Sequence, residues 1–198
     1  MDSVINEIFK QITKSKIVAI DGFGGSGKST LAKIIKGNLN NIEIIHTDDF
    51  YKTKELRQSS KGDFNCENYD YERLIKQVIE PFINNEKITF EKYDWTNDTV
   101  NGKYSISNDC ILVIEGVQSL RKELINYYDY KIWVETPYDL RLNRGMNRDG
   151  EQFRELWVKE WMPSELEYKN DHLPHLNADI ILSGEGKNNR LSFQKIKL

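Results

Sequence analysis

Asp21-Gly22-Phe23-Gly24-Gly25-Ser26-Gly27-Lys28-Ser29-Thr30 is the stretch that decides how this chain folds. It is a Gly, four residues, then Gly-Lys-Ser, the pattern of a loop that cradles phosphate. The glycines let backbone N–H groups turn inward on phosphate oxygens. Lys28 brings a point charge to the β- and γ-phosphates, and the Ser29 hydroxyl can ligate Mg²⁺. Before the loop, Lys16–Ile20 is a short, β-branched apolar run. After it, Leu31, Ile34, Ile35 and Leu39 recur at helical spacing. A strand thus feeds the loop, and a helix N-terminus aims free N–H groups at the anion. The expected nucleotide-binding residues are Gly22, Gly24, Gly25, Ser26, Gly27, Lys28, Ser29 and Thr30.

The same glycines also spell Gly22-x-Gly24-x-x-Gly27, a dinucleotide fingerprint, and Asp48 lies about 20 residues further on, where that fingerprint wants an acid. Lys28-Ser29 decides between the two. The pair has no role in the dinucleotide site and two defined roles in a triphosphate site.

Further strand-length apolar runs follow at Ile42–His46, Cys110–Ile114, Lys131–Glu135 and Asp179–Leu182, mostly separated by helical patterns. Runs apolar on both faces suit a parallel sheet covered by helices on both sides. Val4, Ile5, Ile8, Phe9 and Ile12 describe an amphipathic first helix, and another begins at Asp70. Thr136-Pro137-Tyr138-Asp139 reads as a helix start with Thr136 as N-cap, and Ser164-Glu165-Leu166-Glu167 as a capping box after Pro163. From about residue 87 to 107 the pattern changes to Ile88–Tyr93, Asn101-Gly102 and Lys103–Ile106, a β-hairpin or strand pair inserted into the α/β order.

The chain has 198 residues, enough for one domain with a proper core, and a net charge of −3. With no basic field to recruit nucleic acid or a membrane, any bound polyanion is expected to be small and held locally. No apolar run reaches membrane-spanning length, and no signal-peptide core opens the chain. Cys66 and Cys110 lack ligand spacing with each other or with His46, His172 and His175. Free thiols in a reducing cytoplasm are expected, and no zinc site.

The remaining chemistry lies at strand ends. Asp48 and Asp49 follow the run Ile42–His46, and Asp48 stands nearer the strand end. An acid there holds magnesium through water or takes a proton from an attacking hydroxyl. Ile111–Ile114 lead into Glu115, a carboxylate placed to reach Mg²⁺ or its water shell. Arg141, Arg144 and Arg148 share one helix face, where they can neutralise charge on a transferring phosphoryl group. Trp133, Trp157, Trp161 and Met162 read as packing residues, whereas Tyr93-Asp94-Trp95 at the hairpin end reads as a cradle for a sugar or base.

Together these segments resemble the uridine kinase and phosphoribulokinase branch of P-loop kinases. The resemblance runs through Gly22–Thr30, Thr47-Asp48-Asp49-Phe50-Tyr51, Ile111–Gly116, Lys131–Thr136 with Arg141, Arg144 and Arg148, and Asn177–Ile181. It implies a three-layer P-loop NTPase fold: a mainly parallel, five-stranded sheet, helices on both faces and a small hairpin insertion. One kinase domain would span residues 1–198, with a lid at about 137–162. The resemblance further implies ATP and Mg²⁺, with Asp48 as the base, Lys28, Arg144 and Arg148 as catalytic cations, and Ser29 and Glu115 at the metal. Tyr51, Glu67, Tyr93 and Arg141 would join Asp48 in holding the acceptor. After Tyr93-Asp94 the uridine kinases continue to a His and an Arg, where this chain has Trp95-Thr96-Asn97-Asp98-Thr99-Val100.

The expected function is ATP-dependent phosphorylation of a small hydroxylated acceptor, uridine or cytidine first, with another small metabolite as the alternative. A nucleotide-dependent regulatory NTPase is the rival class, weakened by the lack of an Asn-Lys-x-Asp guanine-reading motif. Oligomeric state and the choice of ATP over GTP are open at this level.

Overall fold

A computed structural model describes residues 3–59, 68–186 and 193–196. Five parallel strands form its centre: β1 (Ile17–Gly22), β2 (Ile42–His46), β5 (Ile111–Glu115), β6 (Tyr130–Glu135) and β7 (Ile180–Ser183). The order is β2-β5-β1-β6-β7, and a short antiparallel strand, β8 (Gln194–Lys195), extends the β7 edge. β1 is buried along its whole length, as its unbroken apolar run requires.

Alternation along β1 assigns the two cores. Val18 and Ile20 face α1 (Ser3–Ile12) and α2 (Lys28–Asn38), packing with Ile8, Ile12, Leu31 and Ile35. Ile17 and Ala19 face the opposite layer, with Leu74, Val78, Ile79 and Phe82. That layer comprises α4 (Tyr71–Leu74), a π-helical turn at Ile75–Ile79 and α5 (Glu80–Ile83). Each fully buried Ile or Leu contributes about 1.5–3 kcal/mol, so both layers are held mainly by apolar burial. No helix among the described residues is long and apolar enough to cross a membrane.

The inserted hairpin pairs β3 (Ile88–Asp94) with β4 (Thr99–Ile106), antiparallel. Its turn is not at Asn101-Gly102, which lies inside β4, but at residues 95–98. Asp94 makes the turn there: its carboxylate accepts from the Thr96 N–H at 2.9 Å and the Asn97 N–H at 3.2 Å. Asp98 closes it at φ +52°, a left-handed conformation that Asp tolerates better than most residues.

Two expected helix starts move. α6 (Tyr138–Asp149) begins after Pro137, and the Thr136 hydroxyl donates instead to Ser26 O at 3.0 Å. Ser164 lies inside a helix and not at its start, because a π-helical segment, Trp157–Trp161, runs straight into α8 (Met162–His172). Its hydroxyl donates back to Trp161 O at 2.8 Å from within the helix.

Candidate active site

Every parallel strand of an α/β sheet ends on the same side, and ligands bind there. The carboxyl ends of β1, β2 and β5 converge on a cleft of about 750 Å³. Its floor is the phosphate loop and the first turn of α2, represented by Gly24, Gly25, Gly27, Lys28, Ser29 and Thr30. Gly25 has φ +74°, and a Cβ there would lie 2.7 Å from Arg141 O. A side chain would therefore push the loop off its support. Gly22 and Ser26 do not line the cleft. Gly22, at φ +146°, lets Val134 O approach to 2.4 Å of where a Cβ would be, and Ser26 is fully buried.

Lys28 is buried on the loop, its Nζ donating to Phe23 O at 3.0 Å. The Ser29 hydroxyl donates to Glu115 Oε1 at 3.0 Å, which brings the expected metal pair together across β1 and β5. A hydroxyl and a carboxylate are hard oxygen donors suited to Mg²⁺. The other Glu115 oxygen meets His46 Nδ1 at 2.7 Å. Burial pushes the Glu115 carboxyl up, but His46, Lys28 and Ser29 outweigh it and hold the group below its ordinary range. The Glu115 partnership holds the His46 imidazole above its ordinary range. Nothing in the spacing of His46 pointed to this contact, which depends on β2 lying beside β5.

Asp48 sits on the 3-10 turn Thr47–Phe50 that ends β2, with its side chain open to the cleft. Desolvation by the cleft walls raises its carboxyl above the usual range; Lys28 opposes this and Glu115 adds to it. Asp49 turns away to an ion pair with Lys92 at 2.9 Å, so Asp48 is the acid of the pair that faces the site. Tyr51, Asn68, Tyr69, Trp95 and Gln118 line the same cleft as Asp48. Tyr51 meets Trp95 at 4.7 Å between ring centroids and Tyr69 edge-on at 5.2 Å.

The three arginines of α6 diverge. Arg148 lines the cleft with its side chain 65% exposed, paired with Asp149 at 2.7 Å. Arg144 also lines it, but its guanidinium braces the loop from behind, donating to Gly25 O at 3.1 Å and Gly184 O at 2.8 Å. Arg141, expected at the acceptor, is not among the residues that line the cleft. It is buried over the Phe23 ring and donates to Glu165 Oε2 at 2.9 Å and Thr136 O at 3.1 Å. Glu165 in turn accepts from the Gly24 N–H at 2.6 Å, tying α8 to the phosphate loop. Removing either partner would strand a buried charge at a cost of about 3–5 kcal/mol.

Tyr93, also expected at the acceptor, likewise stands off the cleft lining. It is buried, and its hydroxyl donates to Asp98 Oδ1 at 2.6 Å. Trp95, 58% exposed, is the hairpin residue that faces the cleft. Glu67 lies outside the described residues. Trp133 is core, as expected, while Trp157 and Trp161 both pack with Met146 and Met162 and line the cleft.

Asp21, the residue before the loop, escaped the sequence reading. It is fully buried, accepting from the Gly22 N–H at 2.6 Å, the Leu120 N–H at 2.8 Å and the Tyr168 hydroxyl at 2.5 Å. Burial raises its carboxyl to about 6, against the pull of those donors.

A phosphate loop on β1, a carboxylate beside its serine and a second acid across the cleft, all on a parallel sheet, define a P-loop kinase. The model of the phosphoribulokinase/uridine kinase family matches residues 17–154, and the chain belongs to that family. It is a phosphotransferase with a hydroxyl acceptor. Uridine kinase of Borrelia duttonii (strain Ly) is 29% identical over 145 residues, 68% of this chain and 67% of the relative. Uridine kinase of Macrococcus caseolyticus (strain JCSC5402) is 30% identical over 149 residues, 71% and 72% of the two chains. A possible uridine kinase from Bacillus stearothermophilus shares the fold with a TM-score of 0.69 at 22% identity, over 89% of this chain and 96% of that one. D-glycerate 3-kinase from Cryptococcus neoformans var. grubii shares it with a TM-score of 0.65 at 10% identity, over 99% and 100%.

Proposed function

We propose that this protein transfers the γ-phosphoryl group of ATP to a hydroxyl of a small, uncharged acceptor, with uridine and cytidine the first candidates. The observation that carries this reading is Asp48, open to the cleft that the phosphate loop floors. Backbone N–H groups of Gly24–Thr30 and the Lys28 ammonium would hold the triphosphate. Ser29 and Glu115 would hold Mg²⁺, which supplies charge neutralisation at the phosphate oxygens. Asp48 takes the proton of the acceptor hydroxyl as its oxygen attacks the γ-phosphorus, and ADP leaves. Arg148, at the cleft mouth, neutralises charge on the moving group as the lid segment closes. The cleft's cations among the described residues are Lys28, Arg144 and Arg148, all on the nucleotide and lid sides, which favours an acceptor without a negative charge.

Curated relatives named uridine kinase support a pyrimidine nucleoside. One observation favours a second reading, an acceptor that is a different hydroxylated metabolite: the Tyr93 hydroxyl, expected in a base pocket, is spent on Asp98. The test is to follow the label of γ-³²P-ATP into uridine, cytidine, vitamins and sugar alcohols. Label in uridine or cytidine supports the first reading, and label only in another acceptor supports the second. Hydrolysis or binding of nucleotide with no label in any acceptor contradicts both.

A further inference from the structure

Tyr69 belongs to no motif, yet it makes the one side-chain hydrogen bond that the described residues give Asp48: its hydroxyl donates to Oδ1 at 3.2 Å. We propose that Tyr69 is a positioning residue for Asp48, fixing one carboxylate oxygen so that the other faces the acceptor hydroxyl. The proposal rests on Asp48 being the base.

Both partners ride on backbone that is bonded together. Tyr51 and Tyr69 form an antiparallel bridge, the Lys52 N–H donates to Asn68 O at 2.8 Å, and the Asp70 N–H donates to Phe50 O at 2.7 Å. The segment that carries Tyr69 is thus pinned along the turn that carries Asp48. The Tyr69 ring is held edge-on against Tyr51, at an interplanar angle of 89°. The hydroxyl is therefore delivered to the carboxylate by the fold, not by a flexible reach.

Asp48 needs such a partner. The cleft walls and the Glu115 carboxylate favour its protonated acid, which cannot act as a base, and Lys28 offsets them only in part. A donor to the carboxylate favours the ionised form. Burial and the neighbouring Asp48 push the Tyr69 phenol well up, so it stays a donor.

The test is a double-mutant cycle of wild type, Tyr69→Phe, Asp48→Asn and the double variant, with ATP and uridine as probe acceptor. Tyr69→Phe keeps the ring and its packing. It is expected to lower kcat about tenfold with the KM for ATP unchanged. In the Asp48→Asn background the same change is expected to alter kcat less than about twofold, because the hydroxyl then has no base to position. Losses that multiply in the double variant would overturn the proposal, as would an effect confined to the KM for uridine. If wild type phosphorylates neither uridine nor any other acceptor, the functional reading fails, and the positioning is read instead from the ¹³C titration of the Asp48 carboxyl. Tyr69→Phe should then raise its apparent pKa by about one unit. An unchanged titration overturns the proposal.

Discussion

The two halves of the cleft are built by different means. The nucleotide half is made by backbone: a loop running from β1 into α2, held from behind by Arg144, Glu165 and Thr136. The half proposed to hold the acceptor is made by side chains from separate segments: Asp48 and Tyr51 after β2, Asn68 and Tyr69 before α4, and Trp95 from the hairpin. Backbone geometry tolerates few sequences and repeats from protein to protein. A surface of side chains on loops can change residue by residue while the first half stays as it is. On the proposed reading, the architecture fixes the nucleotide and local chemistry selects the acceptor.

Substitutions should break the two halves in different ways. Lys28→Ala removes the one cation buried on the loop and is expected to lower kcat about 10³-fold in a coupled ADP-release assay. An active Lys28→Ala would mean that the triphosphate is held elsewhere.

The support beneath the loop carries its own pH signature. The native Asp21 carboxyl lies at about 6, above its ordinary value of 3.8, so the native state binds this proton more tightly than the unfolded chain does. Its contribution to stability is full below the unfolded value and is lost as the pH rises through about 6. The loss is on the order of 3 kcal/mol. Urea unfolding compared at about pH 4 and about pH 7 should show a smaller fall for Asp21→Asn than for wild type. Equal falls would remove Asp21 from the account.

On the acceptor side the effects are smaller and fall on binding. Trp95→Ala takes away the hairpin side chain that lines the cleft, and the KM for the acceptor should rise about tenfold while the KM for ATP stays put. Tyr93→Phe is the sharper contrast. Its hydroxyl serves Asp98, so the KM for the acceptor should move less than about twofold, with a stability loss of about 1 kcal/mol read from thermal unfolding. A Tyr93→Phe defect as large as that of Trp95→Ala would return Tyr93 to the acceptor pocket.

The same division explains what could be read from the sequence. The phosphate loop, the five parallel strands and the acids at the ends of β2 and β5 are local signals: a motif, a periodicity, and an acid following an apolar run. What escaped depends on which strands become neighbours. His46 meets Glu115 because β2 lies beside β5, although the two residues are 69 positions apart. Glu165 reaches Gly24 across 141 positions, and Tyr168 reaches Asp21 across 147. Helical spacing puts Arg141, Arg144 and Arg148 on one face but does not say that Arg141 pairs with Glu165, because three arginines on one face can still end on different partners. In the hairpin, Asn101-Gly102 is the stronger turn signal in the sequence, but Asp94 makes the actual turn with its side chain.

The central claim is that one cleft holds nucleotide through the loop and activates an acceptor hydroxyl through Asp48. The measurement that tests it most directly is Mg–ATP titration calorimetry on wild type and Asp48→Asn, run beside turnover of the acceptor that accepts label. The account predicts ATP affinity unchanged within about twofold and kcat reduced by about 10²–10³-fold. Turnover near the wild-type rate, or a loss of ATP affinity as large as the loss of turnover, would contradict it.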